Sequence, residues 1–276
     1  MKKVIISLFA AFVFVLPSVA AEWNAADRVP TVGQQLLSKN GLPSNTTFKV
    51  ANGQRNNADV ATTKVVYISS DELAYAGNDN EVAAVISTEL GHIINGHYAK
   101  NKMREAAKAA LTSNLSDDNI ITTATYSDFV TNKTSLKDNK EADITGVDMM
   151  IQAGYNPLAM IVVITKHPGS FWEILTGKPA NAERAMNVYD YLTYNYPSKV
   201  KAGYGCNEYR AFLAYADPIV EKRNSNAKKL EKFNKEQQQA KAERAANIAK
   251  YKATGGLTGW DATYTILKNL SESSER

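Results

Sequence analysis

The sequence predicts an α+β fold that is mostly α-helical, with a small antiparallel sheet and a long C-terminal helix. Two short β-branched runs, residues 47–50 and 64–69, lie on either side of a Gly/Asn-rich stretch, as strands of a small sheet do. From residue 81 onward, apolar residues recur at spacings of three and four, which indicates helices. Residues 218–253 contain no glycine and no proline after Pro218, and Lys, Glu, Gln and Ala dominate them, which is typical of a long helix.

The remaining elements follow in chain order from local signals. Residues 22–43 predict one short helix before the sheet. Asp, Glu and Asn residues at 71–72 and 78–81 supply the chemistry with which helices begin, and an amphipathic helix follows from residue 81. An alanine-rich helix is expected next at residues 104–112, and then a polar loop as far as residue 139. Further helices are expected at residues 140–153, 158–165, 171–176 and 182–194.

Composition narrows the function classes. The chain has 276 residues, of which 44% are apolar, enough for one sizeable core or two small ones. The formal net charge of +4 is too mild to imply a nucleic-acid partner. The single cysteine, Cys206, excludes an intramolecular disulfide framework and is expected to be inert. Any metal site that uses imidazole must draw on the three histidines, which are His92, His97 and His167.

The first twenty residues predict a secretory signal peptide. Two lysines precede the apolar run of residues 4–16, and small residues around Ala20 form a cleavage site. The run is shorter than the roughly 20 residues that span a bilayer. We therefore expect an exported protein, periplasmic or extracellular, with no transmembrane anchor after cleavage. The mature chain is expected to divide into a main domain at residues 21–218, a basic helix at 219–254 and a tail at 255–276.

One segment carries the pattern of a metal-dependent hydrolase. In the sequence H-E-x-x-H, two histidines four residues apart on one helix face bind zinc, and the glutamate activates the water bound to the metal. Residues 88–92 are T-E-L-G-H. Glu89 and His92 are therefore present, and Thr88 occupies the position of the first histidine.

A second segment makes the pattern more specific. Residues 139–147 are N-K-E-A-D-I-T-G-V, and A-G-Y-N-P follows at 153–157. From about residue 64 to 216, the chain resembles the gluzincin zinc metallopeptidases of peptidase family M48. That family includes the CAAX prenyl proteases and the periplasmic proteases that tend outer-membrane assembly. The resemblance implies a metallopeptidase-like domain, a zinc cofactor and polypeptide substrates.

The resemblance also assigns positions to the site. The family's third zinc ligand is a glutamate four residues before the aspartate of the second segment. Asn139 occupies that position here, and Asp143 is the aspartate beside the ligands. Of the three ligands only His92 remains, with Glu89 as the general base. Losing two ligands, at roughly 3–4 kcal/mol each, weakens zinc binding by about five orders of magnitude, so zinc is expected to bind weakly or not at all.

Several alternatives remain open from the sequence. Glu141 lies two residues from Asp143, roughly 200° round the helix, and is expected to point away from the site. His97 is roughly 140° from His92 on a continuous helix, so it is expected to be a helix-end residue with one hydrogen bond. A helix break at residues 95–96 would instead allow a site built from His92, His97 and an acid. The family's His-Pro element is represented by Tyr196-Pro197 or, as the weaker candidate, by His167-Pro168. Otherwise His167 is expected in a loop or as a helix cap.

Three functions are compatible with these features. The first is an inactive, metallopeptidase-derived envelope protein that binds peptides or partner proteins. The second is a working zinc metalloendopeptidase with an atypical metal site, acting in envelope protein quality control. The third is a structural protein whose basic helix is the functional part. In the first two, the strand at residues 64–69 is the candidate edge for pairing with extended substrate. The tyrosines at 189–196 are expected to serve mainly in packing.

Overall fold

The structure is a computed structural model that describes residues 23–53, 57–98, 135–169 and 175–253, together with residues 101, 173 and 275. We label the elements in chain order: α1 (Ala25–Lys39), β1 (Thr47–Ala51), α2 (Val60–Thr63), β2 (Val65–Ser69), α3 (Ser70–Leu73), α4 (Asp79–Ile94), α5 (Leu136–Gln152), α6 (Leu158–Lys166), α7 (Ala182–Asn195), α8 (Pro197–Ala202), α9 (Asn207–Asn224) and α10 (Ala227–Ala253). The predicted α+β, mostly helical class is confirmed.

The two predicted strands exist, but the expected antiparallel pairing is wrong. β1 and β2 run parallel, with Thr47 opposite Val65 and Ala51 opposite Ser69. The connection between them includes the one-turn helix α2, and a connection of this kind lets the chain return to the start of the sheet. Parallel strands need a crossover of about a dozen residues, whereas a hairpin turn would give the antiparallel pairing.

Helix α4 is the centre of the core. Asn78 begins it by accepting hydrogen bonds from the backbone N–H groups of Asn80 and Glu81. Its buried residues lie around almost the whole circumference. Its sequence is therefore only weakly amphipathic, as expected for a helix that packs against neighbours on several sides. Helices α1, α5 and α6 all pack against it. Any side chain that α4 presents is therefore held between neighbouring helices.

Two glycines let α4 and α5 cross closely. A Cβ atom at Gly91 would lie 2.3 Å from the carbonyl oxygen of Ala142, and one at Gly146 would lie 2.8 Å from the backbone of Ser87. A side chain at either position would therefore separate the helices. The close crossing brings the predicted E-x-x-H segment directly against the predicted second segment. α5 begins at Leu136, earlier than predicted, because Ser135 and Asp138 form a capping box.

The long C-terminal helix is confirmed as α10, but it begins at Ala227 rather than at Pro218. Pro218 lies inside α9. The helical conformation is interrupted at residues 225–226, between α9 and α10. α10 is anchored to the body of the protein, since the buried Arg244 guanidinium donates to the Asp148 carboxylate at 2.7 Å. The predicted signal peptide, the helix at 104–112 and most of the C-terminal tail lie outside the described residues. Among those the structure describes, no helix is long and apolar enough to cross a bilayer.

Candidate active site

The crossing of α4 and α5 brings the sequence-predicted site residues together. The Thr88 hydroxyl donates to Asp143 Oδ1 at 3.3 Å and also lies 3.2 Å from Met160 Sδ. The side chain of Asn139 hydrogen-bonds to His92. Thr88 and His92 on α4 therefore face Asn139 and Asp143 on α5, in the arrangement that the resemblance implies.

The donor atoms at the family's zinc position do not fit a zinc ion. They are one hydroxyl from Thr88, one amide from Asn139 and one imidazole from His92, with no anionic ligand among them. The Thr88 hydroxyl is already hydrogen-bonded to Asp143, and the His92 ring is bonded to Asn139 and to His97. Burial lowers the pKa of His92 to about 3, so the ring is a neutral partner in these hydrogen bonds.

Asp143 has a cationic partner that no sequence pattern indicated. Arg184 on α7 makes two parallel hydrogen bonds to it, Nε to Oδ2 at 2.9 Å and a terminal nitrogen to Oδ1 at 2.8 Å. The Asp143 side chain is fully buried. A paired arginine compensates a buried carboxylate and fixes its orientation. Asp143 is thus held by Arg184 and Thr88.

Glu89 is enclosed in a way that works against a general base. The residue is half-buried, but its carboxyl group lies deep beneath Asn57 and Tyr98. The Asn57 amide donates to Glu89 Oε1 at 2.5 Å, and the Tyr98 hydroxyl donates to the same oxygen. Burial raises the pKa of Glu89 to about 8, and these two hydrogen bonds only partly oppose the shift. The carboxyl is therefore mainly protonated at neutral pH.

Asn57 also connects Glu89 to the edge of the sheet. Its side-chain oxygen accepts from the Tyr67 backbone N–H at 2.8 Å, and its side-chain nitrogen donates to the Tyr67 carbonyl at 3.0 Å. This pair of bonds imitates the way a peptide group of a neighbouring strand would pair with β2. The edge predicted to receive substrate is thus filled, at Tyr67, by a side chain of the protein itself.

His97 lies beyond the end of α4, and the helix break that the sequence allows at residues 95–96 is present. α4 ends at Ile94, and Gly96 takes a φ of +68° that turns the chain back. His97 is consequently buried, with its Nδ1 3.0 Å from His92 Nδ1. Its Nε2 lies 3.5 Å from Glu141 Oε2 and 3.7 Å from Asp138 Oδ1. Glu141 does point away from Asp143, but it points towards His97.

A cavity of about 270 Å³ opens beside Thr88. Arg184, Glu72 and Met160 contribute to its wall, and so do His167 and Pro168. His167 is the C-cap residue of α6, as expected for a helix cap. The Tyr196 hydroxyl instead donates to Asp148 at 3.0 Å. Of the two candidates for the His-Pro element, the one ranked weaker from the sequence is therefore the one that lies at the site.

Comparisons with known proteins match the family that the two segments resemble. The model of peptidase family M48, a zinc-dependent family, matches residues 24–231. One curated relative is the protein named metalloprotease LoiP of Escherichia coli (strain K12). It is 28% identical over 183 residues, which cover 61% of this chain and 71% of the relative. No solved structure matches the chain.

Proposed function

The chain belongs to peptidase family M48, and we propose that it is an exported member that holds polypeptide but does not cleave it. The observation that carries this proposal is the state of the zinc position. Thr88 and Asn139 replace two ligands, and their side chains are bonded to Asp143 and His92. One imidazole, one hydroxyl and one amide do not form the ligand set with which the family chemistry activates water.

The state of Glu89 supports the same conclusion. A general base must be ionised at the working pH and must reach the water that it deprotonates. Burial keeps the Glu89 carboxyl protonated at neutral pH, and Asn57 and Tyr98 both bond to its Oε1. Its role here is therefore to tie α4 to the edge of β2 through Asn57.

Polypeptide binding is supported by features that do not depend on metal. The outer edge of β2 at Tyr67 offers a backbone donor and acceptor to an extended segment once the Asn57 side chain moves aside. The neighbouring cavity at Thr88 is large enough for one side chain of that segment. Met160 and Val163 give it apolar walls, and Glu72 and Arg184 give it charged ones. We infer that unfolded or extended segments are the class of partner.

Export belongs to the same proposal. The basic start, short apolar run and small residues of positions 1–20 support secretion across the inner membrane. The mature protein would then act in the periplasm or outside the cell. The partner there would be an exposed segment of an envelope protein, held by its backbone.

The experiment compares binding with cleavage in the purified mature protein. We expect casein, used as an unfolded probe, to bind in a fluorescence-anisotropy titration without being cut, with or without a chelator. Chelator-sensitive cleavage that disappears in Glu89→Gln would overturn the proposal. The matched control is Glu221→Gln, which changes an exposed carboxylate on α9. Loss of casein binding in Val163→Trp, which fills the cavity, would support the assigned surface.

A working metalloendopeptidase with an atypical metal site is the second candidate. The observation in its favour is the approach of His97 to His92, Glu141 and Asp138. If this candidate were correct, cleavage would persist in Thr88→Ala. It would be lost in His97→Gln.

A further inference from the structure

We propose that the chain has a Zn²⁺ site formed by His97, Asp138 and Glu141, displaced from the family's zinc position. This inference is independent of whether the protein cleaves polypeptide. It concerns three residues outside the E-x-x-H pattern, none of which the family assignment uses. Two of them, Asp138 and Glu141, lie one turn apart on α5, and the third follows the end of α4.

The spacing of the three side chains matches a shared cation better than it matches hydrogen bonds. Nε2 of His97 lies 3.5 Å from Glu141 Oε2 and 3.7 Å from Asp138 Oδ1. N–H···O hydrogen bonds are usually about 2.7–3.2 Å long. Ligands that each lie about 2.0–2.2 Å from a tetrahedral zinc are separated by about 3.3–3.6 Å. All three ligand atoms fall within 4.8 Å of one another, so one ion can contact all of them after small shifts.

Burial and fixed geometry favour a built site over a chance grouping of surface acids. The His97 side chain is fully buried, while the side chains of Asp138 and Glu141 are 25% and 16% exposed. The second oxygen of Asp138 accepts from the Ser135 backbone N–H in the capping box, which fixes the direction of the carboxylate. The ion can therefore reach the ligands from the acidic side and meet a buried imidazole.

The contact with His92 is compatible with the His97 tautomer that a metal requires. The two Nδ1 atoms are 3.0 Å apart, so one of them carries the proton that the other accepts. If His97 Nδ1–H is the donor, its Nε2 keeps a lone pair directed at Asp138 and Glu141. Metal-binding histidines almost always donate their other ring N–H in this way. His92 is thus a positioning residue for the displaced site, and Asn139 in turn bonds to His92.

The ligand chemistry selects the ion. One imidazole with two carboxylates favours a borderline transition metal over Mg²⁺ or Ca²⁺, which prefer oxygen ligands alone. Two carboxylates also balance the charge of a divalent ion in this partly buried place. Zn²⁺ with a water molecule as fourth ligand satisfies these requirements. Its effect would be to tie the chain after α4 to the first turn of α5.

The test measures metal binding itself. The chelator-treated mature protein is titrated with Zn²⁺ by calorimetry and with Co²⁺ by visible absorption, which reports the geometry of the ligands. We expect one equivalent to bind. Affinity should fall about 100-fold or more in His97→Gln and in Glu141→Gln, because each removes one of three ligands. His92→Gln should lower it about 10–100-fold, as expected for an orienting partner.

The controls separate the displaced site from the family position. Thr88→Ala, at a family ligand position that bonds only to Asp143 and Met160, should leave the metal affinity close to that of the wild type. His167→Gln, which changes a histidine outside the cluster, should leave it unchanged. In Asp138→Asn the side-chain oxygen can still accept from the Ser135 backbone N–H, so the helix cap is kept. This variant therefore removes the anionic ligand without removing the cap. Circular dichroism of each variant verifies folding.

Two results would overturn the inference. One is the absence of Zn²⁺ and Co²⁺ binding in the folded wild-type protein. The other is binding that survives in His97→Gln and Glu141→Gln but is lost in Thr88→Ala. Neither result bears on whether casein binds without being cut, so a failure here is distinguishable from a failure of the proposed function.

Discussion

Replacing Glu89 by glutamine should make the protein more resistant to unfolding at alkaline pH. The pKa of this carboxyl is raised from 4.5 to about 8, chiefly by burial. The folded chain therefore keeps the proton to a higher pH than the unfolded chain does. It follows that the free energy of unfolding of the wild type decreases as pH rises from about 4.5 to about 8 and then levels off.

The magnitude follows from the size of the shift. Each pH unit between the two pKa values removes about 1.4 kcal/mol of stability when the group is fully isolated from water. Because part of the Glu89 residue is exposed, we expect about 2–4 kcal/mol between pH 5 and pH 8. Glutamine has the shape of the protonated acid and can still accept hydrogen bonds from Asn57 and Tyr98. Because glutamine cannot ionise, the pH-dependent decrease in the free energy of unfolding should be absent in the variant.

The assay is urea unfolding of the wild type and Glu89→Gln at pH 5, 7 and 8.5. Taking the difference between the two proteins removes the contributions of the other titrating groups. Glu221→Gln, at an exposed position, should show no such pH-dependent difference. Equal pH dependence in the wild type and Glu89→Gln would refute the reasoning, since it would mean that Glu89 is ionised in the folded protein. Glu89 would then be ionised at neutral pH, as a general base must be.

Three further predictions follow from the site and the helix crossing. Thr88→His with Asn139→Glu should raise zinc affinity about 100-fold or more in calorimetry, and no gain would mean that the ligand positions are misassigned. Asn57→Ala should bind casein about 5–10-fold more tightly, because it opens the edge of β2; unchanged affinity would remove that edge from the binding surface. Gly91→Ala should lower the free energy of unfolding by roughly 3 kcal/mol, because its Cβ would lie 2.3 Å from a carbonyl oxygen of α5. Gly205→Ala, which meets nothing within 4 Å, is the control in the same denaturation assay.

The features predicted correctly from the sequence are those that depend on local patterns. α4 and α5 follow from periodicity and cap residues, and the spacing of the two segments places Thr88, His92 and Asn139 at one crossing. The mostly helical class follows from the same patterns. The spacing of residues along a helix determines which of them share a face. The sequence pattern of each helix therefore predicts which side chains lie together on the face that meets the other helix.

The features missed depend on contacts between distant parts of the chain. The parallel direction of the sheet depends on how the connection through α2 packs, which periodicity does not encode. Arg184 and Asn57 have no neighbouring pattern that links them to the site, yet they hold Asp143 and Glu89. The position of His97 depends on a turn at Gly96, where the sequence allowed both outcomes. Side-chain partners of this kind appear only after the backbone is placed.

The helix crossing explains how the scaffold can persist when the zinc ligands change. The contact between α4 and α5 is made by backbone atoms at Gly91 and Gly146, so it does not depend on the residues at 88 and 139. Asp143 keeps its charge compensated by Arg184, which means that no metal is needed to make its burial tolerable. Ligand residues at this crossing can therefore change without loss of the fold. The edge of β2 and the cavity at Thr88 remain in place, and these are the features to which we assign the proposed binding of polypeptide.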